Sequence, residues 1–236
     1  MKKLFLLLLV STFLISCSSD SSSENSGPTL SNTPLAKAEF DNSNLGIYKG
    51  VFTGSSGIIT VNIKNDGNIN AILVLDNVSY TFTTTETVSD TGDISALTFT
   101  SGAMSFDLNI SNNGETIETT ALIFPTHPTA TISIVKEYSD MLVKCYQGTF
   151  TGTSSGVLNV ITIDNSVYGL AYPNEAEDAS YLSGMINGTA LTGTYGSDPV
   201  QGNFSGAISG NTITGAWESI DTQNPGSGNW TAQRTL

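Results

Sequence analysis

Tyr48-Lys49-Gly50-Val51-Phe52-Thr53-Gly54-Ser55-Ser56 returns 98 residues further on as Tyr146-Gln147-Gly148-Thr149-Phe150-Thr151-Gly152-Thr153-Ser154. Tyr, Gly, Phe, Thr and Gly keep their spacing in both copies, and each copy runs on through a Gly into paired aliphatics, Ile58-Ile59 and Val157-Leu158. A recurrence of this kind marks an internal duplication. Each copy has room for about eight short strands. Within the first, turn signals recur at Gly54-Ser55-Ser56-Gly57, Asn65-Asp66-Gly67, Asp76-Asn77, Thr91-Gly92-Asp93, Ser101-Gly102 and Asn112-Asn113-Gly114. Their spacing of about 11 residues suits strands joined by tight hairpins.

Between the turns, side chains alternate with a period of two. Ile59, Val61 and Ile63 face one way and Thr60, Asn62 and Lys64 the other. Val78, Tyr80 and Phe82 oppose Ser79, Thr81 and Thr83, and Met104, Phe106, Leu108 and Ile110 oppose Ser105, Asp107 and Asn109. Half-buried strands of this sort build antiparallel sheets with one wet face, not doubly covered parallel sheets. Composition agrees. The 236 residues are 39% hydrophobic but only 12% charged, with polarity supplied by Ser, Thr, Asn and 23 Gly, a mixture that disfavours helix bundles. The expected fold is all-β: an antiparallel meander, duplicated as small β-barrel or β-sandwich domains over residues 45–136 and 144–236. Whether the copies close as one barrel or two stays open.

A shorter repeat lies inside the second copy. Gly184-Met185-Ile186-Asn187-Gly188-Thr189-Ala190-Leu191-Thr192-Gly193-Thr194-Tyr195 aligns with Gly206-Ala207-Ile208-Ser209-Gly210-Asn211-Thr212-Ile213-Thr214-Gly215-Ala216-Trp217. Gly193 therefore shares a face with Tyr195, and Gly215 with Trp217. Bare glycine backbone beside large rings lets a sheet curve tightly while a neighbouring ring covers the gap. Ala190 to Tyr195, with Ser197 and Asn203 after it, resembles the strand and loop of avidin-type, calycin-like barrels in which Tyr, Ser and Asn contact biotin. The resemblance implies a barrel. It does not carry biotin over, because the Ser197 to Asn203 spacing is longer and the family's later Trp and Asp motif has no match.

The chain opens with a basic head, Met1-Lys2-Lys3, and an apolar run from Leu4 to Ser16 that is too short to span a bilayer. The run ends in Leu14-Ile15-Ser16-Cys17, which resembles the lipobox of bacterial lipoproteins. That resemblance implies a signal peptide over 1–16 and a lipidated Cys17 as the mature N-terminus. Several acyl chains would make a stable membrane anchor where a single chain would be marginal. Residues 17–44 are rich in Ser, Asn and Pro and read as a flexible tether. Its opening, Ser18-Ser19-Asp20 with Glu24, is similar to the acidic segment that sends lipoproteins of the Bacteroidetes to the cell surface. The expected address is the outer membrane or cell surface, with the face of the membrane left open.

Charge narrows the partners. With 21 acidic side chains against 8 basic ones the net charge is −13, so nucleic acid is not expected, and an anionic chain does not dock on anionic lipid unaided. Cys145 has no partner once Cys17 is lipidated, and its setting in Lys144-Cys145-Tyr146-Gln147 is that of a strand residue. The only His, His127, lies between Pro125 and Pro128 in a loop, so neither a Cys and His dyad nor a transition-metal site is expected. The loop Pro173-Asn174-Glu175-Ala176-Glu177-Asp178 is the candidate calcium site, through Glu175, Glu177 and Asp178, against a plain solvated acidic loop. No other cofactor is expected. Tyr168, Tyr172, Tyr181, Tyr195, Trp217 and Trp230 concentrate rings with polar handles in the second copy, as a surface for a glycan or peptide or as core. No nucleophile elbow, phosphate loop or metalloprotease motif occurs. The reading is a non-enzymatic binding or accessory module; its alternatives are a structural or protein-partnered lipoprotein and a hydrolase with two close carboxylates.

Overall fold

The computed structural model describes residues 30–174, 179–196, 199–223 and 225–236. Cys17, the leader and the tether up to residue 29 lie outside the described residues, as do Glu175, Glu177 and Asp178. The fold is all-β, with two eight-stranded antiparallel sheets curled into barrels. The first is built from β1 (Gly46–Thr53), β2 (Gly57–Ile63), β3 (Ile69–Leu75), β4 (Val78–Thr83), β5 (Ile94–Ser101), β6 (Met104–Ser111), β7 (Thr116–Ile123) and β8 (Thr131–Glu137). Its order is β7-β6-β5-β4-β3-β2-β1-β8. The two end strands meet through the Thr119 hydroxyl, which donates to the Ile132 carbonyl at 3.3 Å, and no ladder joins them.

The second barrel repeats the meander with β9 (Lys144–Gly152), β10 (Gly156–Ile163), β11 (Ser166–Pro173), β12 (Ser180–Asn187), β13 (Ala190–Tyr195), β14 (Gly202–Ser209), β15 (Thr212–Ser219) and β16 (Ser227–Arg234). Here the ladder closes from β16 back to β9. Each turn signal of the first copy falls between two strands. Asp76 and Asn77, at φ of 51° and 64°, make the left-handed turn that a two-residue hairpin requires.

The duplication persists in side-chain direction. Tyr48 and Phe52 on β1, and Tyr146 and Phe150 on β9, point into their own cores. Between each pair sits a glycine at a close approach. A Cβ on Gly50 would meet the Ser133 carbonyl oxygen at 2.1 Å, and one on Gly148 the Thr231 oxygen at 1.9 Å. The closing strands correspond as well: Tyr48 stands opposite Lys136, and Tyr146 opposite Arg234.

Those two cations grip the chain that precedes the first barrel. The Arg234 guanidinium donates to the Ser31 carbonyl and, at 3.1 Å, to Asn32 Oδ1. Lys136 Nζ donates to the carbonyls of Phe40 (2.8 Å), Asn113 (2.9 Å) and Ser43. Between them Leu35 N–H donates to Glu137 and Lys37 N–H to Asn65. Residues 31–44, which composition assigns to the tether, therefore form a strap with a short 3-10 turn at Ala38–Phe40 across the underside of both barrels. Its polar backbone finds partners that composition does not display.

The barrels lie side by side. Every residue of β1 is buried because its outer face also packs: Val51, with Ile58 opposite it on β2, meets Cys145, Ile161 and Leu170 of the second barrel and Val143 of the connection. Asn159 Nδ2 donates across to the Phe52 carbonyl at 2.8 Å. Lys49 and Glu137 form an ion pair at 2.5 Å, wholly buried beside this seam, and Glu137 also accepts the Val143 N–H.

Candidate ligand-binding site

The interior of the first barrel is filled by aliphatic and Phe side chains. Phe99 and Phe106 stack at 5.1 Å, Phe82 lies 5.4 Å from Phe106, and Phe124 from the connection after β7 closes the top against Phe52 at 5.0 Å. His127 lies in that same loop, 3.2 Å from Asp76 and edge-on to Phe52. Cys145 is fully buried at the seam, and burial pushes its thiol up to about 12. It is therefore no nucleophile at neutral pH.

The second barrel is hollow at the matching end. Strand registers equate Leu73 with Ala171, Tyr80 with Ser180, Phe82 with Leu182 and Ala71 with Gly169, so the second copy is smaller at every one of these inward positions. The result is a cavity of about 640 Å³, within the size range of small-molecule sites. Its floor is Leu158, Leu182, Phe204 and Trp230, all buried. Phe150, Tyr195 and Trp217 form the wall. Trp217 meets Phe150 at 6.1 Å and Tyr195 at 6.2 Å, both nearly perpendicular. Among the described residues the rim is uncharged and mostly polar: Thr153, Ser154, Ser180, Gln201, Ser219 and Gln223, with Pro173 and Pro225 between them.

Glycine places these rings. A Cβ on Gly215 would fall 2.6 Å from the Trp230 indole, and one on Gly206 2.7 Å from it; on Gly228 it would fall 2.6 Å from Trp217 Nε1, and on Gly202 2.3 Å from the Tyr195 ring. Each ring thus lies against bare backbone of a neighbouring strand, as tight curvature requires. Both indole N–H groups are used by that backbone. Trp217 Nε1 donates to Thr151 O at 3.1 Å, and Trp230 Nε1 donates to Ser205 O at 3.1 Å and Ala216 O at 3.2 Å. What the tryptophans offer the cavity is apolar ring surface. Burial holds the Tyr195 phenol above its ordinary value, so it stays a neutral hydroxyl at the mouth.

Of the six rings expected to make one surface, the structure unites three. Tyr195, Trp217 and Trp230 line the cavity. Tyr168, Tyr172 and Tyr181 point outward from β11 and β12: Tyr168 and Tyr181 are exposed, and Tyr172 donates to Thr129 of the first barrel at 3.1 Å. They share no face with the other three, because alternate residues of a strand face opposite ways. Tyr195 and Asn203, linked by the avidin-type resemblance, separate likewise, Tyr195 inward and Asn203 exposed on the outer wall. Sequence reasoning missed Phe150, Leu158, Leu182 and Phe204. Phe150 was in plain view as the counterpart of Phe52, but only strand phase identifies the others as inward.

Among the described residues no cluster of His, Cys, Asp or Glu is arranged to hold a metal ion. No protein-family model matches the chain, and no curated protein matches it.

Proposed function

We propose that this chain is a lipid-anchored envelope protein, held at the outer membrane or cell surface by Cys17, whose second barrel is a non-enzymatic binding module. The observation that carries the binding reading is the open cavity of about 640 Å³ in one of two otherwise matching barrels. Its occupant is an uncharged ligand with an apolar part for the aromatic wall and hydrogen-bonding groups for the hydroxyl and amide rim, such as a neutral glycan end or a peptide bearing an apolar side chain. The first barrel, its core packed with aliphatic and Phe side chains, serves as the platform. For the anchor, support comes from Leu14-Ile15-Ser16-Cys17 and from the net charge of −13, which does not hold a chain on anionic lipid unaided.

Trp217 and Trp230 are the only tryptophans, and both line the cavity, so intrinsic fluorescence reports on it directly. Titration with neutral oligosaccharides and capped peptides should give a saturable change with a matching rise in melting temperature. Ser154→Trp, at an exposed rim position, should obstruct entry and abolish the melting-temperature rise with little effect on the unliganded protein. A flat response across both ligand classes would remove the binding reading and leave a structural lipoprotein. The anchor is checked separately: Cys17→Ser should move the protein from the detergent phase to the aqueous phase.

A further inference from the structure

We propose that the cavity opens away from the membrane that holds the chain and takes its ligand, apolar end first, from the aqueous side rather than from the host bilayer. The proposal rests on the lipid-anchor reading. Its geometry comes from the strap. Arg234, which binds Ser31 and Asn32, ends β16, whereas the other end of β16 reaches the rim, where Ser227 N–H donates to the Thr153 hydroxyl at 3.0 Å. Seven residue steps of about 3.3 Å separate the two. Lys136 and Glu137, which hold the strap between Leu35 and Ser43, end β8 on the same underside. The chain therefore leaves toward Cys17 from the closed end of the hollow barrel.

The fourteen residue steps from Cys17 to Ser31 can span at most about 50 Å. Bringing the mouth to the bilayer would spend about 23 Å of that reach on the barrel wall alone before the segment could pass the rim. Leaving the underside toward the membrane needs no extension. The rim points the same way: its described lining carries none of the basic side chains that dock on lipid headgroups, and Thr153, Ser154, Gln201 and Gln223 set hydroxyls and amides beside Pro173 and Pro225 where lipid insertion would call for large apolar side chains. Floor and rim together set the order of entry: Trp230 and Phe204 receive the apolar end, and the hydroxyls and amides remain with the polar end.

The test uses the full lipidated chain on phosphatidylcholine vesicles carrying a nitroxide on the headgroup. Glu39→Cys on the strap and Ser154→Cys on the rim are both exposed sites for a small fluorophore, because Cys145 is buried and Cys17 carries lipid. The proteins should float with the vesicles, and the label at 39 should be quenched several-fold more than the label at 154. Equal quenching, or stronger quenching at 154, overturns the orientation while leaving the anchor intact. Failure to float, with Cys17→Ser behaving identically, overturns both the anchor and the orientation.

Discussion

Leu73 fills the first barrel at the level where Ala171, its counterpart, leaves the second open, and the backbone ladders run in the opposite sense. In the first barrel β4 and β5 share a single ladder pair, Thr83 with Thr100, and β7 and β8 share none. In the second barrel each neighbouring pair of strands is joined by at least six ladder positions. A fully buried aliphatic or Phe side chain contributes about 1.5–3 kcal/mol, against about 0.5–1.5 kcal/mol net for a hydrogen bond. A core packed with such side chains tolerates interrupted ladders. A barrel that keeps its interior open for a ligand draws instead on complete ladders and on rings seated against glycine.

The sharpest break of this comparison is at the seam, where the first copy has a buried ion pair and the second has none. Lys49 and Glu137 correspond to Gln147 and Thr235, so the buried ion pair belongs to the first barrel alone. Glu137→Gln would leave the Lys49 ammonium buried and uncompensated, and should lower unfolding free energy by about 3–5 kcal/mol in denaturant titration. Gln147→Ala, on the half-exposed counterpart, should change it by less than about 0.5 kcal/mol. Next in size is the exchange at the matched interior position. Leu73→Ala should cost about 2–5 kcal/mol by opening a cavity in a packed core, whereas Ala171→Leu should stabilise by about 0.5–2 kcal/mol and abolish ligand response. If Ala171→Leu destabilises as an overpacked core would, the cavity is not free space and the binding reading falls with it.

The meander and the first strand of each copy were legible because turns and alternation are local properties. Val78 marks the edge of that reasoning: it continues the pattern of Tyr80 and Phe82, yet at the strand end it is half exposed. The closing strands were not legible as repeats, since Ile132, Ile134 and Lys136 share direction but not identity with Trp230, Ala232 and Arg234. Residues 31–44 read as tether for a related reason. Their order comes from carbonyls held by Lys136 and Arg234, each about a hundred or more residues away in sequence. The site was half legible. Ring content pointed to the second copy, but which rings face inward depends on strand phase, and the hollow itself depends on what is missing at 171, 180 and 182.

Position 136 offers a subtler contrast, visible only against pH. Lys136 and Arg234 occupy matching places, but burial lowers the Lys136 ammonium to about 8 from its ordinary 10.5, while an Arg does not titrate. Below about pH 8 both folded and unfolded states carry the proton, and the cost of burying the charge is present in full. Between about pH 8 and 10.5 the unfolded state holds the proton and the folded state has released it, so stability should rise with pH, by up to about 1.4 kcal/mol per unit. Subtracting the profile of Lys136→Arg isolates this slope from other groups. A difference profile that is flat across that window would mean that the carbonyls of the strap hold the ammonium as firmly as water does, and that the two barrels grip the strap in the same way.

The smallest expected effects separate the rings within the second barrel. Tyr168→Ser and Tyr181→Ser remove exposed outer-wall rings and should each change unfolding free energy by less than about 0.5 kcal/mol, with the fluorescence response to ligand unaltered. Tyr195→Ser removes a half-buried ring that covers Gly202 and closes one side of the cavity, so it should weaken the ligand response and also lower stability, by about 1–3 kcal/mol. Inner and outer substitutions are chemically identical, which leaves position as the only variable. Should the outer pair alone weaken binding, the contact surface would be the wall of β11 and β12, and the hollow would be a consequence of tight glycine curvature with no occupant of its own.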